Sequence, residues 1–315
     1  MEKLRVVFMG PPDFSVPVLE GLSDNYNVVL VVTQPDKKIG RKQILTAPPV
    51  KKLAIERGIP VLQPTKIKEE YEDILRFNPD IIVTCAYGQI LPKELLEYPK
   101  YKCINVHASL LPKLRGGAPI HKAIIDNYAR TGITIMYMAE KMDAGDIISQ
   151  KETIIKNEDN LESLHDRLSL MGKELLLETL PKIFTGDINP ILQDESGVTY
   201  AYNISREEEK IDFNNYAINI FKQIKGLSPT PGAYAKLDGK IIKIYDAYIL
   251  DSFYIDRENG EICKIYKDGL GVSCKDREIV ITDFQIEGKR RMKLTEYFNG
   301  KDGSEFLNKV FNKEQ

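Results

Sequence analysis

DIIVTCA, residues 80–86, opens on an acidic residue, is near-continuously apolar after it, and ends two residues before a glycine. A run this short, apolar on both alternating faces, is what a strand buried inside a parallel sheet requires. Upstream, Lys3 to Met9 reads as a strand stopped by Gly10, Val16 to Leu22 as a helix, and Val28 to Thr33 as a second strand. Pro48 to Arg57 reads as a helix, Ile59 to Leu62 as a short strand, and Glu69 to Phe77 as one further helix. Downstream come a strand at Cys103 to Val106, a helix from Pro119 to Asp126, and the β-branched strand TGITIMYMA at 131–139. Leu161, Leu164, Leu168, Met171, Leu175 and Leu176 recur at helical spacing and form one apolar face. Strands alternating with helices predict an α/β domain over residues 1–200 with a Rossmann-like, mostly parallel sheet.

The glycine that ends the first strand does not open a nucleotide site. GPPDFS, residues 10–15, has one glycine where a dinucleotide loop needs three, and Pro11 and Pro12 remove backbone donors. A Walker phosphate loop is also missing from the sequence. The 315 residues are 43% hydrophobic and 29% charged, with a formal net charge of −2. Those values predict an ordinary globular protein of two domains. The first residues lack the pattern of a secretory leader, and no apolar run is long enough to span a bilayer, so the expectation is a cytoplasmic protein with no membrane partner. Cysteines 85, 103, 263 and 274 are too scattered for a zinc site and are expected to be reduced. No HxH, HExxH or Cys/His set occurs, so no metal is predicted.

The texture changes after Leu192. TYAYNISREEEKID, 199–212, is polar and charge-dense and reads as a linker, followed by a short helix from Asn214 to Gly226 and the turn-rich SPTPG at 228–232. Short strands are expected at Ala233 to Leu237, Lys240 to Leu250, Gly260 to Lys267, Gly271 to Cys274 and Glu278 to Gln285. Residues 201–315 are therefore predicted to form a small β-barrel. Lys289, Arg290, Arg291 and Lys293 cluster beside the Gly288 turn, which by itself reads as a solvated loop.

In open α/β sheets ligands gather outside the carboxyl ends of the strands. Asn105 and His107 lie at such an end, within NVHASLLPKLRGG. An asparagine amide can donate to a developing oxyanion, and an imidazole can accept or deliver a proton near neutral pH. Acyl transfer to an amine needs both, with a carboxylate to orient the imidazole. Asp143, in KMDAGDI, follows the 131–139 strand and is two residues from a glycine that lets the loop turn. Taken singly, each has a plainer reading: a strand-end histidine, an asparagine satisfying backbone groups, a surface turn aspartate. His121 and His165 read as structural or surface residues.

Taken jointly, INVHASLLPKLRGGAPIHKAI and TGITIMYMAEKMDAGDII closely resemble the folate-dependent formyltransferases. The resemblance implies that Asn105 polarises the formyl oxygen, His107 is the general acid/base, and Asp143 orients the histidine and assists deprotonation. It implies folate contacts from Ser109, Leu110, Leu111 and Pro112. It also implies a pterin-reading loop made of Ala86, Tyr87, Gly88, Gln89, Ile90, Leu91 and Pro92, with 10-formyltetrahydrofolate as donor. TQPDKKIGRK, GLSPTPGAY and FQIEGKRRMKLTEYFNG resemble the members that formylate methionyl initiator tRNA, and the likeness covers essentially the whole chain. It implies an OB-like C-terminal barrel that carries tRNA; a monomer is the expectation. It further implies a loop, Asp36 to Ala47, whose Lys37, Lys38, Arg41 and Lys42 join Lys289, Arg290, Arg291 and Lys293 in meeting phosphates. Composition predicts that loop to be solvated, and mobile until an anionic partner engages it. The chain departs from the family at Pro11, usually threonine, at GRKQIL, usually richer in glycine and lysine, and at Phe213 where another aromatic is usual. The alternatives are a sugar-nucleotide amine as acceptor, hydrolysis of formyl-folate, or a noncatalytic RNA-binding protein.

Overall fold

The structure is a computed structural model that describes residues 4–40, 42–252 and 256–313. Arg41 lies outside the described residues, as does Lys3 at the start of the first expected strand. Contacts divide the chain into two units. The first is Met1–Pro119 with Arg130–Ile154 and His165–Tyr202; the second is Ile120–Ala129 with Ile155–Leu164 and Asn203–Gln315.

The order through the first part of the chain is β1 (Arg5–Met9), α1 (Val16–Asn25), β2 (Asn27–Val32), β3 (Lys37–Ile39), β4 (Ile44–Thr46), α2 (Pro49–Glu56) and β5 (Val61–Leu62). It continues with α3 (Ile67–Glu70), α4 (Glu72–Leu75), β6 (Ile81–Cys85), α5 (Lys93–Glu97), β7 (Cys103–His107), α6 (Pro119–Ile125), β8 (Arg130–Tyr137), β9 (Ile147–Ile154) and α7 (Leu161–Thr185). Seven strands pair in the order β5-β2-β1-β6-β7-β8-β9. The β5-β2, β2-β1, β1-β6 and β6-β7 pairs are parallel, and β8 and β9 close one side antiparallel. Every residue of β6 is buried, as an apolar central strand demands.

One expectation needs correction in this unit, and two further elements go beyond the sequence reading. The helix expected at 69–77 is two short helices, because Tyr71 separates α3 from α4 and Asn78 ends the stretch in a left-handed conformation, φ 49°. Strand β9 alternates half-buried with exposed residues and was not foreseen. Within the basic loop β3 and β4 form an antiparallel hairpin, with Ile39, Ile44 and Leu45 exposed. Its base is tied down by Asp36, which accepts from Lys51 Nζ (2.8 Å) and Gln63 Nε2 (2.8 Å). Those two hydrogen bonds, Lys51 first, hold the Asp36 carboxyl below the usual carboxylate range.

The second unit contains α8 (Ala217–Leu227), β10 (Ala233–Leu237), β11 (Lys240–Leu250), β12 (Ile262–Ile265), β13 (Leu270–Ser273), β14 (Glu278–Ile286), β15 (Met292–Lys293) and α9 (Leu294–Phe298). Its sheet runs β10-β11-β14-β13-β12, antiparallel throughout, with β15 added to β14. The edge strands β10 and β12 are joined through the segment 308–312 rather than paired directly. Ile262 N donates to Lys309 O (2.8 Å), Phe311 N to Gly260 O (2.9 Å), and Asn312 N to Lys236 O (2.8 Å). Both edges thereby gain partners, which removes the exposed ladder groups an open sheet would present. Ile220, Ile224, Ile244, Val272, Ile279 and Phe284 sit in one core under α8.

Candidate active site

Asn105 and His107 are two residues apart on β7, so their side chains leave the same face of the sheet. Thr84, next to Asn105 on β6, donates its hydroxyl to Asn105 Oδ1 at 2.8 Å. That bond fixes the amide: its oxygen is engaged, and among the described residues its Nδ2 donates to nothing. A donor held this way is preorganised for an oxygen that gains charge.

His107 is 6% exposed. Its Nε2 donates to Leu114 O at 3.1 Å, so the free lone pair belongs to Nδ1. Nδ1 lies 3.7 Å from Asp143 Oδ2, too far for a direct hydrogen bond. A proton arriving on Nδ1 would meet a carboxylate oxygen nearby. Asp143 Oδ2 also accepts from Gly116 N at 2.8 Å, which holds it in that direction. The three residues singled out from sequence therefore occupy one place, two on a strand and one on the β8-β9 connection.

The backbone around them is strained. Ala86, Leu114 and Asp143 all adopt left-handed φ, at 49°, 60° and 49°, a region non-glycine residues rarely enter and which costs about 1–3 kcal/mol each. Two glycines are forced by close approach. A Cβ at Gly116, φ 121°, would lie 2.6 Å from Ala201 O, and one at Gly145 only 1.9 Å from Tyr137 O. These are the glycines of the RG and D-x-G motifs, and each allows the loop that presents Asp143 or its amide partner to lie flush against a neighbouring chain.

The expected folate residues form two loops beyond strand ends. Ala86 to Pro92 joins β6 to α5, with Gly88 at φ 81°, Tyr87 and Leu91 buried, and Ile90 exposed. Gln89 Oε1 accepts from Ile67 N at 3.0 Å. The Tyr87 hydroxyl is buried with no hydrogen-bond partner among the described residues, and burial pushes its pKa far up. Ser109, Leu110, Leu111 and Pro112 follow β7. Thr134 Oγ1 donates to Ser109 O (2.7 Å), while Gln150 Nε2 donates to Leu111 O (2.9 Å) and to Thr134 Oγ1 (2.8 Å). Thr84, Thr134 and Gln150 were not anticipated as site residues. The only cue was a threonine standing inside each of two apolar strands. Cys85, one residue before the first loop, is no nucleophile: burial pushes its thiol up to about 12.

The basic residues divide. Lys38 and Lys42 are exposed, and Lys37 donates to Gln34 Oε1 at 2.7 Å. In the second unit Lys289 and Lys293 are exposed, and Arg290 reaches Glu296 at 3.4 Å. Arg291 is committed within its own domain: it binds Asp283 at 2.8 Å and its guanidinium lies 4.2 Å from the centre of the Tyr245 ring. Its charge is largely answered there. Among the described residues no group of three or more His, Cys, Asp or Glu could hold a metal, and no helix is long and apolar enough to cross a membrane.

Sequence comparison places these features in a family. Residues 4–180 match the formyl transferase domain, and residues 203–302 match the formyl transferase C-terminal domain. The chain is 52% identical over 300 residues to the methionyl-tRNA formyltransferase of Bacillus licheniformis, covering 94% of this chain and 95% of that one. The chain belongs to the methionyl-tRNA formyltransferase family. The Staphylococcus aureus formyltransferase is 50% identical over 299 residues, 94% of this chain and 96% of its own. Among solved structures, the sugar 3N-formyltransferase WlaRD superposes with a TM-score of 0.66 at 19% identity, over 92% of this chain and 100% of that one. A methionyl-tRNA formyltransferase from Clostridium thermocellum gives a TM-score of 0.56 at 16% identity, over 90% and 98% of the two chains. Those structural likenesses speak for the formyltransferase fold alone.

Proposed function

We propose that this chain transfers the formyl group of 10-formyltetrahydrofolate to the free α-amino group of methionyl initiator tRNA, using Asn105, His107 and Asp143. The observation that carries the site assignment is the joint geometry of an amide with free donors, an imidazole with Nδ1 open, and a carboxylate 3.7 Å from that nitrogen. Attack of an amine on the formyl carbon puts negative charge on the formyl oxygen and leaves a proton to be lost by the nitrogen. The Nδ2 donors of Asn105 stabilise the first. His107 Nδ1 takes or relays the second, directly or through a water, and Asp143 stabilises the imidazolium without leaving its bond to Gly116 N. Folate contacts come from the loops 86–92 and 109–112, whose backbones are held in fixed, partly left-handed shapes.

In this reading residues 1–200 perform the transfer and residues 201–315 handle the tRNA, in a single chain working in the cytoplasm. Four free cysteines suit a reducing compartment. The acceptor is named from relatives about half identical along nearly their whole length, which favours tRNA over a sugar-nucleotide amine. The test is to offer both acceptors with formyl-folate under identical conditions. Methionyl initiator tRNA should be formylated efficiently and an amino-sugar nucleotide hardly at all; the reverse ranking would sink the assignment.

Phosphate contacts should come from the exposed lysines rather than from Arg291. Each lost contact lowers the slope of log affinity against log salt by roughly 0.7 to 0.9. Lys42→Ala is expected to show that decrease, whereas Arg291→Ala is expected to lower domain stability with little change in slope, because its partner Asp283 lies in the same domain. Binding titrations at several salt concentrations, with a thermal melt for each variant, check this. A normal slope for Lys42→Ala would remove the hairpin lysine from the phosphate track.

A further inference from the structure

The segment that leaves α7 returns to the site and grips both sides of it. Ile191 exchanges two backbone hydrogen bonds with Ile147, each 2.8 Å. Two residues on, Gln193 is 4% exposed, and its side chain uses all of its main bonding positions. Nε2 donates to Asp143 O (2.8 Å) and to Gly145 O (2.7 Å); Oε1 accepts from Arg115 Nε (3.0 Å) and Arg115 Nη2 (2.9 Å). Arg115 is itself 2% exposed, and its Nη2 also reaches Glu195 Oε1 at 2.9 Å. Further along, Thr199 Oγ1 accepts from Leu114 N at 2.9 Å, Arg115 N donates to Thr199 O at 2.9 Å, and Ala201 N donates to Arg115 O at 2.7 Å.

We propose that Gln193 is a positioning residue for Asp143, locking the strained Asp143–Gly145 backbone to Arg115 so that the carboxylate stays aimed at His107 Nδ1. The chemistry of the side chain fits the task closely. Two carbonyls on one side demand donors and a guanidinium on the other demands an acceptor, and a primary amide is the side chain that supplies both ends. A glutamate of the same shape would turn a carboxylate oxygen onto two carbonyls. The lock also closes a loop: Arg115 immediately precedes Gly116, whose N–H holds Asp143 Oδ2. Gln193 therefore ties the backbone that carries Asp143 to the backbone that aims it. A misplacement of about 1 Å in a catalytic group can cost on the order of a hundredfold in rate.

This inference rests on Asp143 acting in catalysis, and the experiment separates the two claims. Formyl transfer is measured for Gln193→Glu, Asp143→Asn and the double variant, with melting curves for each. Gln193→Glu should lower kcat by roughly tenfold to a hundredfold with KM for both substrates within about twofold. In the Asp143→Asn background the same change should cost no more than about another twofold, because there is no carboxylate left to aim. A full, multiplicative loss in the double variant, or a kcat for Gln193→Glu above half of normal beside an impaired Asp143→Asn, overturns the inference alone. A normal rate for Asp143→Asn overturns the catalytic reading and this one with it. If Gln193→Glu does not fold, Arg115→Met frees the far end of the same amide and is held to the same non-additivity.

Discussion

Replacing His107 by alanine is expected to reduce kcat for formyl transfer by about two to four orders of magnitude, the range of a lost general acid/base. Among the described residues of the site the imidazole alone has an unengaged nitrogen lone pair opposite a carboxylate, so in the proposed reaction the amine's proton would lose its acceptor when the ring is removed. The substitution has a structural cost as well. Leu114 O loses its donor at a position where the backbone is already strained, a penalty of about 1–3 kcal/mol. His107→Gln answers that objection, since a glutamine amide can still donate toward Leu114 O but cannot shuttle the proton. A rate loss shared by both variants, with the glutamine protein melting near the wild type, is the expected result. Retention of more than about half the rate by either variant would falsify the role.

Asn105→Ala should lower kcat by about two to three orders of magnitude, the usual effect of deleting one oxyanion donor. Its effect should be confined to catalysis. Asn105 is only half-buried, and the Thr84 hydroxyl that it releases has a second acceptor, Ile104 O, at 3.2 Å. KM for formyl-folate should therefore change little while kcat falls, the pattern of an interaction made chiefly in the transition state. A large rise in KM with unchanged kcat would instead make Asn105 a binding group for the ground-state donor.

The parts of this structure that sequence revealed are those encoded locally. DIIVTCA reads as a buried strand because seven consecutive residues carry the signal, and α7 reads as a helix because its leucines recur at one spacing. Asn105 and His107 could be paired because they share one strand, and Asp143 could be added because the D-x-G motif travels with them. What escaped was held by distant partners or by very short elements. The β3-β4 hairpin has three residues in each strand, too few for a period to emerge among lysines and glycine. β9 alternates too weakly against charged neighbours, and the break at Tyr71 lies inside a segment whose composition favours helix throughout. Arg115, Gln193 and Thr199 act across separations of 48 to 85 residues, over which no local pattern speaks. In the barrel, the strands were legible one by one, whereas the tail that joins β10 to β12 depends on Asn312, 76 residues from Lys236. The cluster at 289–293 shows the same limit from another side: four basic residues within five positions look equivalent in sequence, yet Arg291 is held by Asp283 and Tyr245 while Arg290 reaches Glu296.

The most direct measurement follows a labelled formyl carbon from 10-formyltetrahydrofolate in a single turnover with methionyl initiator tRNA, separating tRNA-bound label from free formate. The expected result is label on the α-amino nitrogen of the esterified methionine, one per enzyme turnover, with little formate, and a collapse of that transfer in His107→Ala. Label appearing as formate at the same rate with or without tRNA would contradict the account.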